Sequence, residues 1–204
     1  MRLFLFIIIL ISYYPVAGQE IVKEYYQSGK LKGEGKVVGE KREGEWIFYY
    51  PTGKKNSIEN YKEGKLDGTV IYFYPSEIKQ GQEMWREGVM EDSAWYFHPN
   101  GKLKSKGVFH QSQYEGLWKH FFENGELERT ISYRNGVPEG DTFIYSENGQ
   151  LIQDGKYHGG LESGEWRFFS EEGKLKFYGS YNEGKPIGTW YEIKNDKLKV
   201  YKKY

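Results

Sequence analysis

The side chains of this sequence best suited to hold a metal ion or move a proton are its four histidines, His98, His110, His120 and His158. His110 and His158 are 48 residues apart, which corresponds to about 19 Å in a sheet with ~4.8 Å between strands. Two ligands at that distance do not share one metal ion. His98 and His120 lie within aromatic segments, where structural or solvent-facing roles are favoured. Cysteine is absent from the sequence, which excludes thiolate nucleophiles, disulfides and cysteine-ligated metal centres.

The acidic residues show no pattern typical of a catalytic pair. Glu162 and Glu165 lie in a segment read as a loop, where solubilising charge is the simplest role. An acidic residue directly before a glycine recurs along the chain, at Glu43-Gly44, Glu115-Gly116 and Glu139-Gly140. A catalytic site rarely occurs several times in one chain, so this recurrence indicates repeat architecture. We therefore predict that the protein is not an enzyme and has no cofactor or metal site.

Charge and composition restrict the class of protein further. With 29 basic and 29 acidic residues the net charge is zero, which argues against nucleic acid as a partner. Aromatic residues make up 18% of the 204 residues, and 26 residues are glycine. Because disordered chains are poor in aromatic residues, we expect a folded chain of short strands joined by tight turns.

The first 18 residues have the pattern of a secretory signal peptide. Arg2 precedes an unbroken apolar run over 3–11, and Val16-Ala17-Gly18 offers small residues for cleavage before Gln19. The alternative is a membrane anchor, which needs about 20 apolar residues, whereas 3–17 contains 15. No second apolar segment follows. We expect an exported mature chain without a transmembrane segment, which is periplasmic, on the cell surface or secreted.

Four positions recur about every 24 residues through the rest of the chain. The first is a turn glycine, at Gly29, Gly53, Gly101, Gly125, Gly149 and Gly173, with Glu77 in the missing place. The second is aromatic, at Tyr61, Trp85, Phe109, Tyr133, Tyr157 and Tyr181. The third is read as Trp46, Val70, Trp95, Trp118, Thr142, Trp166 and Trp190. The fourth lies two residues earlier and is read as Gly44, Gly68, Ser93, Gly116, Gly140, Gly164 and Gly188.

Each repeat has two short aromatic or β-branched segments around a turn, which is the pattern of a β-hairpin. Asn148-Gly149 favours a two-residue type I′ turn, because both central residues of that turn need positive φ. The second connection, which contains Gly64 and Gly136, is expected to be longer and more variable. We predict an all-β fold, an elongated antiparallel meander of about seven 24-residue hairpins with about 14 strands. Its predicted organisation is a signal peptide at 1–18, a lead-in at 19–24, the repeat array at 25–201 and a tail at 202–204.

The recurring residues are expected to build the core and the turns of the array, at Gly44, Trp46, Gly116, Trp118, Gly125, Gly149, Gly164, Trp166, Gly188 and Trp190. A glycine leaves bare backbone over which an aromatic ring of the neighbouring strand can lie. The repeat containing Trp85 and Trp95 is the most irregular, which reflects either drift, the favoured reading, or a specialised site. Aromatic side chains are frequent in protein interfaces. We name four candidate contacts with a partner, Trp85, Trp95, Tyr96 and Tyr114.

The repeat resembles the MORN repeat, in the bacterial variant of YwqK-type antitoxin-like proteins. The resemblance rests on Glu43-Gly44-Glu45-Trp46, Glu115-Gly116-Leu117-Trp118, Ser163-Gly164-Glu165-Trp166 and the Asn-Gly runs from Asn100, Asn124 and Asn148. It covers about residues 25–201. The resemblance implies a scaffold for protein partners, and the antitoxin label implies that the partner is a toxic protein. The apparent export signal departs from a cytoplasmic antitoxin and fits an extracytoplasmic interaction or immunity protein better.

The function that follows is a non-enzymatic exported repeat scaffold that binds an unidentified protein partner. The alternative is a periplasmic or surface module that binds glycan or lipid headgroups, with peripheral membrane or cell-wall contact. A purely structural component of the envelope is the third interpretation.

Overall fold

A computed structural model describes residues 19–204 of the chain. These residues form 18 strands and no helix, and the strands pair in one open antiparallel sheet that follows chain order as a hairpin meander. The predicted all-β architecture is thereby confirmed. The predicted signal peptide at 1–18 lies outside the described residues.

The strands of the first half are β1 (Gln19–Tyr25), β2 (Leu31–Val38), β3 (Lys41–Tyr49), β4 (Lys55–Lys62), β5 (Lys65–Leu66), β6 (Gly68–Phe73), β7 (Lys79–Arg86), β8 (Val89–Met90) and β9 (Asp92–Phe97). Those of the second half are β10 (Leu103–His110), β11 (Gln113–Phe121), β12 (Leu127–Arg134), β13 (Val137–Tyr145), β14 (Leu151–His158), β15 (Leu161–Phe169), β16 (Leu175–Asn182), β17 (Lys185–Lys194) and β18 (Lys197–Lys203).

The strand count exceeds the expected 14 for two reasons. First, β5 and β6 are one strand interrupted at Asp67, and β8 and β9 are one strand interrupted at Glu91. Second, the sheet extends to both ends of the described chain. Residues 19–24, expected as a lead-in, belong to β1, and Lys202 and Lys203 of the expected tail belong to β18.

The Asn-Gly turns are three-residue turns, so the predicted type I′ geometry is wrong at these sites. The Gly149 N–H donates to the Ser146 carbonyl at 2.9 Å, and the Ser146 N–H donates to the Gln150 carbonyl at 2.8 Å. Gly149 has a φ of 78°, whereas Asn148 is not among the positive-φ residues. The extra residue before the asparagine allows a type I turn followed by a bulged glycine, in which only the glycine needs positive φ.

The two-residue type I′ turns occur instead at the second connection, which was expected to be the longer one. Arg134 pairs with Val137, so Asn135-Gly136 is the whole turn, with φ of 50° and 78°. The same positive-φ pair recurs at Glu63-Gly64, Glu87-Gly88, Gln111-Ser112, Gly159-Gly160 and Glu183-Gly184. The prediction of a longer second connection is wrong because most of these type I′ turns lack the Asn-Gly signature.

A β-bulge in every second long strand keeps a strict period of 24 residues. The bulge residue has positive φ at Gly44, Gly68, Asp92, Gly116, Gly140, Gly164 and Gly188. Asp92, with a φ of 68°, therefore holds the place that the sequence reading gave to Ser93. Two residues later, Ala94 is fully buried and holds the place that had been given to Trp95. The prediction placed the tryptophan in this position, whereas the backbone keeps an exact spacing of 24 residues and places Ala94 there.

Seven buried residues of the sheet form one line across it, and we call this line the core column. Its members are Trp46, Val70, Ala94, Trp118, Thr142, Trp166 and Trp190, all at most 7% exposed. Side chains alternate between the faces of a strand, so these residues share one face, which we call the core face. The expected structural roles of the tryptophans at 46, 118, 166 and 190 agree with this placement.

Candidate partner-binding surface

Each core-column residue faces one residue of the preceding strand, and we call these residues the platform column. They are Gly35, Glu59, Glu83, Gly107, Ile131, Gly155 and Gly179. A Cβ built on Gly107 would lie 2.2 Å from the Trp118 ring, and one on Gly155 would lie 2.2 Å from the Trp166 ring. A tryptophan in the core column therefore requires a glycine on the platform, as the sequence predicts.

The two columns compensate each other in size. All four tryptophans face glycine, at residues 35, 107, 155 and 179. The smaller core residues Val70, Ala94 and Thr142 face larger platform residues, which are Glu59, Glu83 and Ile131. Because a sheet with a fixed spacing offers a nearly constant volume per pair, one large member excludes another.

Glu83 forms the centre of a polar core in the irregular repeats. Glu83 is 6% exposed, and its carboxylate accepts hydrogen bonds from the Tyr96 hydroxyl at 2.7 Å, the Trp85 indole at 3.0 Å and the Tyr72 hydroxyl at 3.2 Å. Burial and this carboxylate raise the pKa of Tyr96 and Tyr72, which keeps both hydroxyls protonated as donors. Three neutral donors thus solvate one buried charge.

A second polar group surrounds Arg42 beside the Glu59 platform. The Arg42 guanidinium lies 4.5 Å from the centre of the Trp46 ring, donates to the Tyr61 hydroxyl at 3.2 Å and pairs with Glu24 at 2.7 Å. The Tyr61 hydroxyl in turn donates to Glu59. Burial and Glu59 raise the pKa of Tyr61 to about 12. Arg42 therefore covers the first indole and links it to the acidic platform.

The residue that covers the core column changes between repeats, and among the seven repeats only proline occurs twice. The same place is held by Arg42, Leu66, Met90, Tyr114, Pro138, Glu162 and Pro186, which we call the cover column. The carbonyls of the first six accept the N–H of the second residue in the following type I′ turn, at 2.8–3.0 Å, so their backbone positions are equivalent. Core pairs of nearly constant volume thus carry a surface residue that ranges from cationic to aromatic to anionic.

The cover column is most aromatic around Tyr114. This side chain is 40% exposed, and its ring lies 4.5 Å from Trp118 and 5.0 Å from Tyr133, centre to centre. Tyr96 stacks on the other side of Trp118 at 6.5 Å. An open groove of about 250 Å³ lies beside these rings and is also lined by Tyr74, Lys104 and His120. This groove could receive an aromatic or polar side chain, or a sugar ring, from a partner.

The structure brings together three of the four predicted contact residues. Trp85 and Tyr96 both bind Glu83 on the core face, and Tyr114 lies on the same face. Trp95 follows Ala94 directly and therefore points to the opposite face, where Leu117 and Lys119 lie near it. Trp85 and Tyr96 are half-buried and held by hydrogen bonds, so Tyr114 is the freest of the three.

The repeated acidic residues act as caps of the type I′ turns. Glu139 accepts the Gly159 N–H at 2.9 Å and contacts His158 Nδ1 at 3.1 Å, and both contacts lower the pKa of Glu139. Glu91 makes the same contacts with Gln111 and His110. Both histidines are exposed, and the carboxylates are engaged by the backbone. This arrangement is repeated architecture of the kind that the sequence indicates.

His98 and His120 occupy two different environments. The His98 Nε2 atom donates to the Phe121 carbonyl at 2.8 Å, whereas the His120 Nε2 atom is buried and has no hydrogen-bond partner. Burial lowers the pKa of His120, which keeps it neutral. Across residues 19–204, no group of three or more histidine, aspartate or glutamate side chains is placed to hold a metal ion. The same residues contain no helix long and apolar enough to cross a membrane.

Glu59 and Glu83 are residues of this surface that the repeat pattern did not predict. Both occupy platform places in which the regular repeats have glycine, and the tryptophan is missing from the same two repeats. The sequence signal for these two glutamates is that a platform glycine and the tryptophan over it are lost together. This signal was hidden because Trp95 was placed in the core column.

Fold and surface together define the class of protein: a β-hairpin repeat array with core pairs of nearly constant volume and a variable cover column. A family model described as the MORN repeat variant matches residues 21–37, 42–63, 96–111, 114–135, 138–158 and 162–183. These segments make up more than half of the chain, and the protein belongs to this family. The longest unmatched internal segment, 64–95, contains Glu83 and most of the polar core.

Two solved structures are similar to the chain at a low level. They are the crystal structures titled TcdB2-TccC3-Cdc42 and TcdB2-TccC3, each 10% identical over 91% of this chain, with TM-scores of 0.24 and 0.18. This chain spans 14% of the length of each of those chains. Similarity this distant indicates nothing about function. No curated protein matches the chain.

Proposed function

We propose that this protein is a non-enzymatic repeat scaffold that binds a protein partner through the cover column on its core face. The observation that carries the proposal is the separation of two sets of residues. All three columns keep a 24-residue register, but the core and platform residues fill a nearly constant volume as pairs, whereas the cover column changes its chemistry between most repeats. A repeat array with this organisation can present a specific pattern of side chains without changing its fold.

The centre of the proposed contact is the segment around Met90 and Tyr114. Met90 packs against the cluster of Ala94, Phe109 and Trp118, and the ring of Tyr114 packs against Phe109 and Trp118 of the same cluster. Methionine and tyrosine are both enriched in protein interfaces, where they bury large apolar surfaces with few charged groups. The hydroxyl and groove beside Tyr114 supply polar contacts at the rim.

We further propose that the chain is exported and that its partner is an extracytoplasmic protein, in the manner of an immunity protein or antitoxin. The support is the sequence of residues 1–18, which has a positive residue, an apolar run and a small-residue cleavage site. Intact mass of the protein recovered from its own cells should show a start at Gln19. Recovery of the uncleaved chain from the cytoplasm would contradict export.

Comparative affinity capture tests the binding proposal. The chain and two variants, Tyr114→Lys and Leu117→Lys, are used as bait for the envelope and secreted proteins of the same cells. Leu117 is the matched control, because it is 51% exposed on the same strand but points to the opposite face. We expect a protein that is retained by the chain and by Leu117→Lys and lost with Tyr114→Lys. Equal retention by both variants would contradict the proposed surface.

The glycan and lipid alternative is distinguished by the same variants. Stacking of a sugar on the Tyr96–Tyr114 groove would give binding to isolated cell-wall glycan, and headgroup contact would give binding to anionic vesicles. Binding to either that is lost with Tyr114→Lys, without a captured protein, would replace the protein-partner proposal. The non-enzyme proposal is contradicted by a turnover in the purified chain that disappears on replacing one histidine or acidic residue.

A further inference from the structure

Among the strands of residues 19–204, those at the two ends of the sheet each have one edge without a neighbour. Within residues 19–204, β1 pairs only with β2, and β18 pairs only with β17. The outer N–H and C=O groups of these two strands are therefore available to another strand. Apolar side chains next to the edges are exposed, with Ile21 at 77%, Leu198 at 55% and Val200 at 56%.

We propose that copies of this chain associate head to tail, with β18 of one copy pairing antiparallel to β1 of the next. With β5–β6 and β8–β9 each counted as one strand, the meander has an even number of alternating strands. The direction of β1 is therefore opposite to that of β18, and a second copy added in the same orientation continues the sheet with the core face on the same side. Such an interface is heterologous and extends without closure.

Residues of the edge strands β1 and β18 occupy positions equivalent to those of repeats inside the array. The Tyr204 N–H donates to the Gly188 carbonyl at 2.9 Å, and its ring packs edge-on against Trp190 at 6.2 Å. Tyr204 thereby takes the place that Tyr181 has opposite Gly164, one repeat earlier. Gln19 lies seven 24-residue steps before Ile187, near the start of β17. The junction would thus resemble an ordinary hairpin of the array in which no type I′ turn connects the two strands.

The register of the array places opposite charges across this junction. Lys199 faces Glu192 in the way that Phe177 faces Phe168 one repeat earlier. On its other side, Phe177 faces Glu192 of the next strand, β17. Glu24 lies seven steps before Glu192, so Glu24 of the second copy would face Lys199. β18 carries four lysines and no acidic residue, whereas β1 carries Glu20 and Glu24 with one lysine, Lys23, so the two strands have opposite net charges.

The size compensation between the core column and the platform column also holds across the junction. Val22 lies seven steps before Trp190 and so has a core-column place. Lys202 pairs with Trp190 as Gly179 pairs with Trp166, and so has a platform place. A valine over a residue larger than glycine is the combination that Val70 and Glu59 form inside the array. Tryptophan at position 22 would not fit there.

Sedimentation velocity over a wide concentration range tests the proposal. The chain is expressed with its leader in an exporting bacterial host, and intact mass records the start of the recovered protein. We expect the mean mass to increase continuously with concentration. Lys199→Glu should weaken association roughly tenfold. Lys176→Glu is the matched control, because it makes the same charge change at an exposed site in β16, away from both edges, and it should have no effect.

A second pair of variants makes the test specific for contacts between copies. Val22→Trp alone should weaken association, and addition of Lys202→Gly should restore it by recreating a tryptophan over a glycine. The two residues lie at opposite edges of one sheet, so rescue can arise only between copies. Thermal unfolding and circular dichroism check that each variant is folded. A chain that stays monomeric at all concentrations, a closed dimer, or equal loss with Lys176→Glu would overturn the proposal.

The outcome is separable from the proposed partner binding. Head-to-tail association uses the edges of β1 and β18, whereas the proposed partner contact uses the core face around Tyr114. Tyr114→Lys should leave the sedimentation of the chain unchanged, and Lys199→Glu should leave partner capture unchanged. Each proposal can therefore fail without the other.

Discussion

The regular and irregular repeats keep the same backbone with two different kinds of core. In a regular repeat, Trp118 lies over Gly107 and is 1% exposed. In an irregular repeat, Ala94 is fully buried beside the Glu83 carboxylate, and three aromatic donors surround that charge. The turns, bulges and 24-residue spacing are the same in both. The register is thus set by the backbone pattern, and the core pair only needs to fill a constant volume.

The two cores should differ in what stabilises them. Burial of an indole contributes free energy of unfolding that needs no particular partner. A buried carboxylate contributes only while its hydrogen bonds are made, and loss of a donor leaves an unsatisfied charge. The polar core is therefore the more specific of the two, and the apolar core is the more stabilising.

The largest expected effect is the loss of a regular core residue. Trp166→Ala should lower the free energy of unfolding by about 3–5 kcal/mol, because it leaves a cavity the size of an indole. Val70→Ala, at the same place in an irregular repeat, should cost roughly half as much or less. Denaturant unfolding of both variants measures the difference. Equal costs would contradict the idea that the indoles carry most of the stability.

The stability of the polar core should depend more on the hydrogen bonds to Glu83 than on side-chain volume. Glu83→Ala should cost roughly 2–3 kcal/mol, because the Tyr72, Tyr96 and Trp85 donors lose their common acceptor. Glu83→Gln keeps the shape and an acceptor oxygen and should cost about 1 kcal/mol. The Gln variant is the control for volume, and denaturant unfolding gives both values. A Glu83→Gln loss as large as that of Glu83→Ala would mean that the charge itself is required.

Substitutions at the β-bulge should change the free energy of unfolding less, and the change should arise from backbone conformation. Gly116 and Asp92 occupy equivalent places with φ of 64° and 68°. Gly116→Ala should cost about 1 kcal/mol, since a Cβ is unfavourable at positive φ. Asp92→Gly should have the opposite sign or no effect, although it also removes the Asp92 contact with the Ser93 N–H at 2.7 Å. Thermal unfolding of the two variants tests this sign reversal.

The contribution of His120 to the free energy of unfolding should be the smallest of these effects, and this contribution should depend on pH. It occupies the place of Tyr72 and Tyr96, but its platform neighbour is Gly107, so the acceptor that Glu83 provides for those tyrosines is missing. Burial lowers the pKa of His120, so the unfolded chain binds the proton more tightly than the folded chain. The free energy of unfolding should therefore fall as the pH drops through about 6.5, the ordinary histidine value.

The variant His120→Phe checks that origin of the acid sensitivity. It should keep the stability seen near neutral pH and reduce the fall below about pH 6.5. His158→Phe is the matched control, because His158 is exposed and contacts Glu139. An unchanged pH profile in His120→Phe would show that other groups are responsible.

The sequence alone predicted the features that repeat with strict spacing. The all-β hairpin array, the glycine beneath each tryptophan and the structural roles of Gly44 and Trp118 follow from the 24-residue period, because each recurs in several copies. Gly125 and Gly149 do occupy turns with positive φ, although the turns are not of the predicted type.

The remaining features depend on exceptions to the pattern. Ala94 was missed because Trp95 is next to it and resembles the expected residue, although the exact 24-residue step from Val70 leads to Ala94, which is fully buried. Turn type was missed because it depends on loop length, which Asn148-Gly149 alone does not specify. Glu83 was missed because its role requires tyrosines from two neighbouring strands to converge on it.

The central claim is that core and platform residues are chosen as pairs, which leaves the cover column free to vary. A double-mutant cycle at Ile131 and Thr142, which face each other, measures this directly. Thr142→Trp should destabilise the chain, because the indole meets the Ile131 side chain, and Ile131→Gly should destabilise it by leaving space. The double variant should recover stability, with a coupling energy of roughly 1–3 kcal/mol. Additive losses in the double variant would contradict the pairing of the two columns.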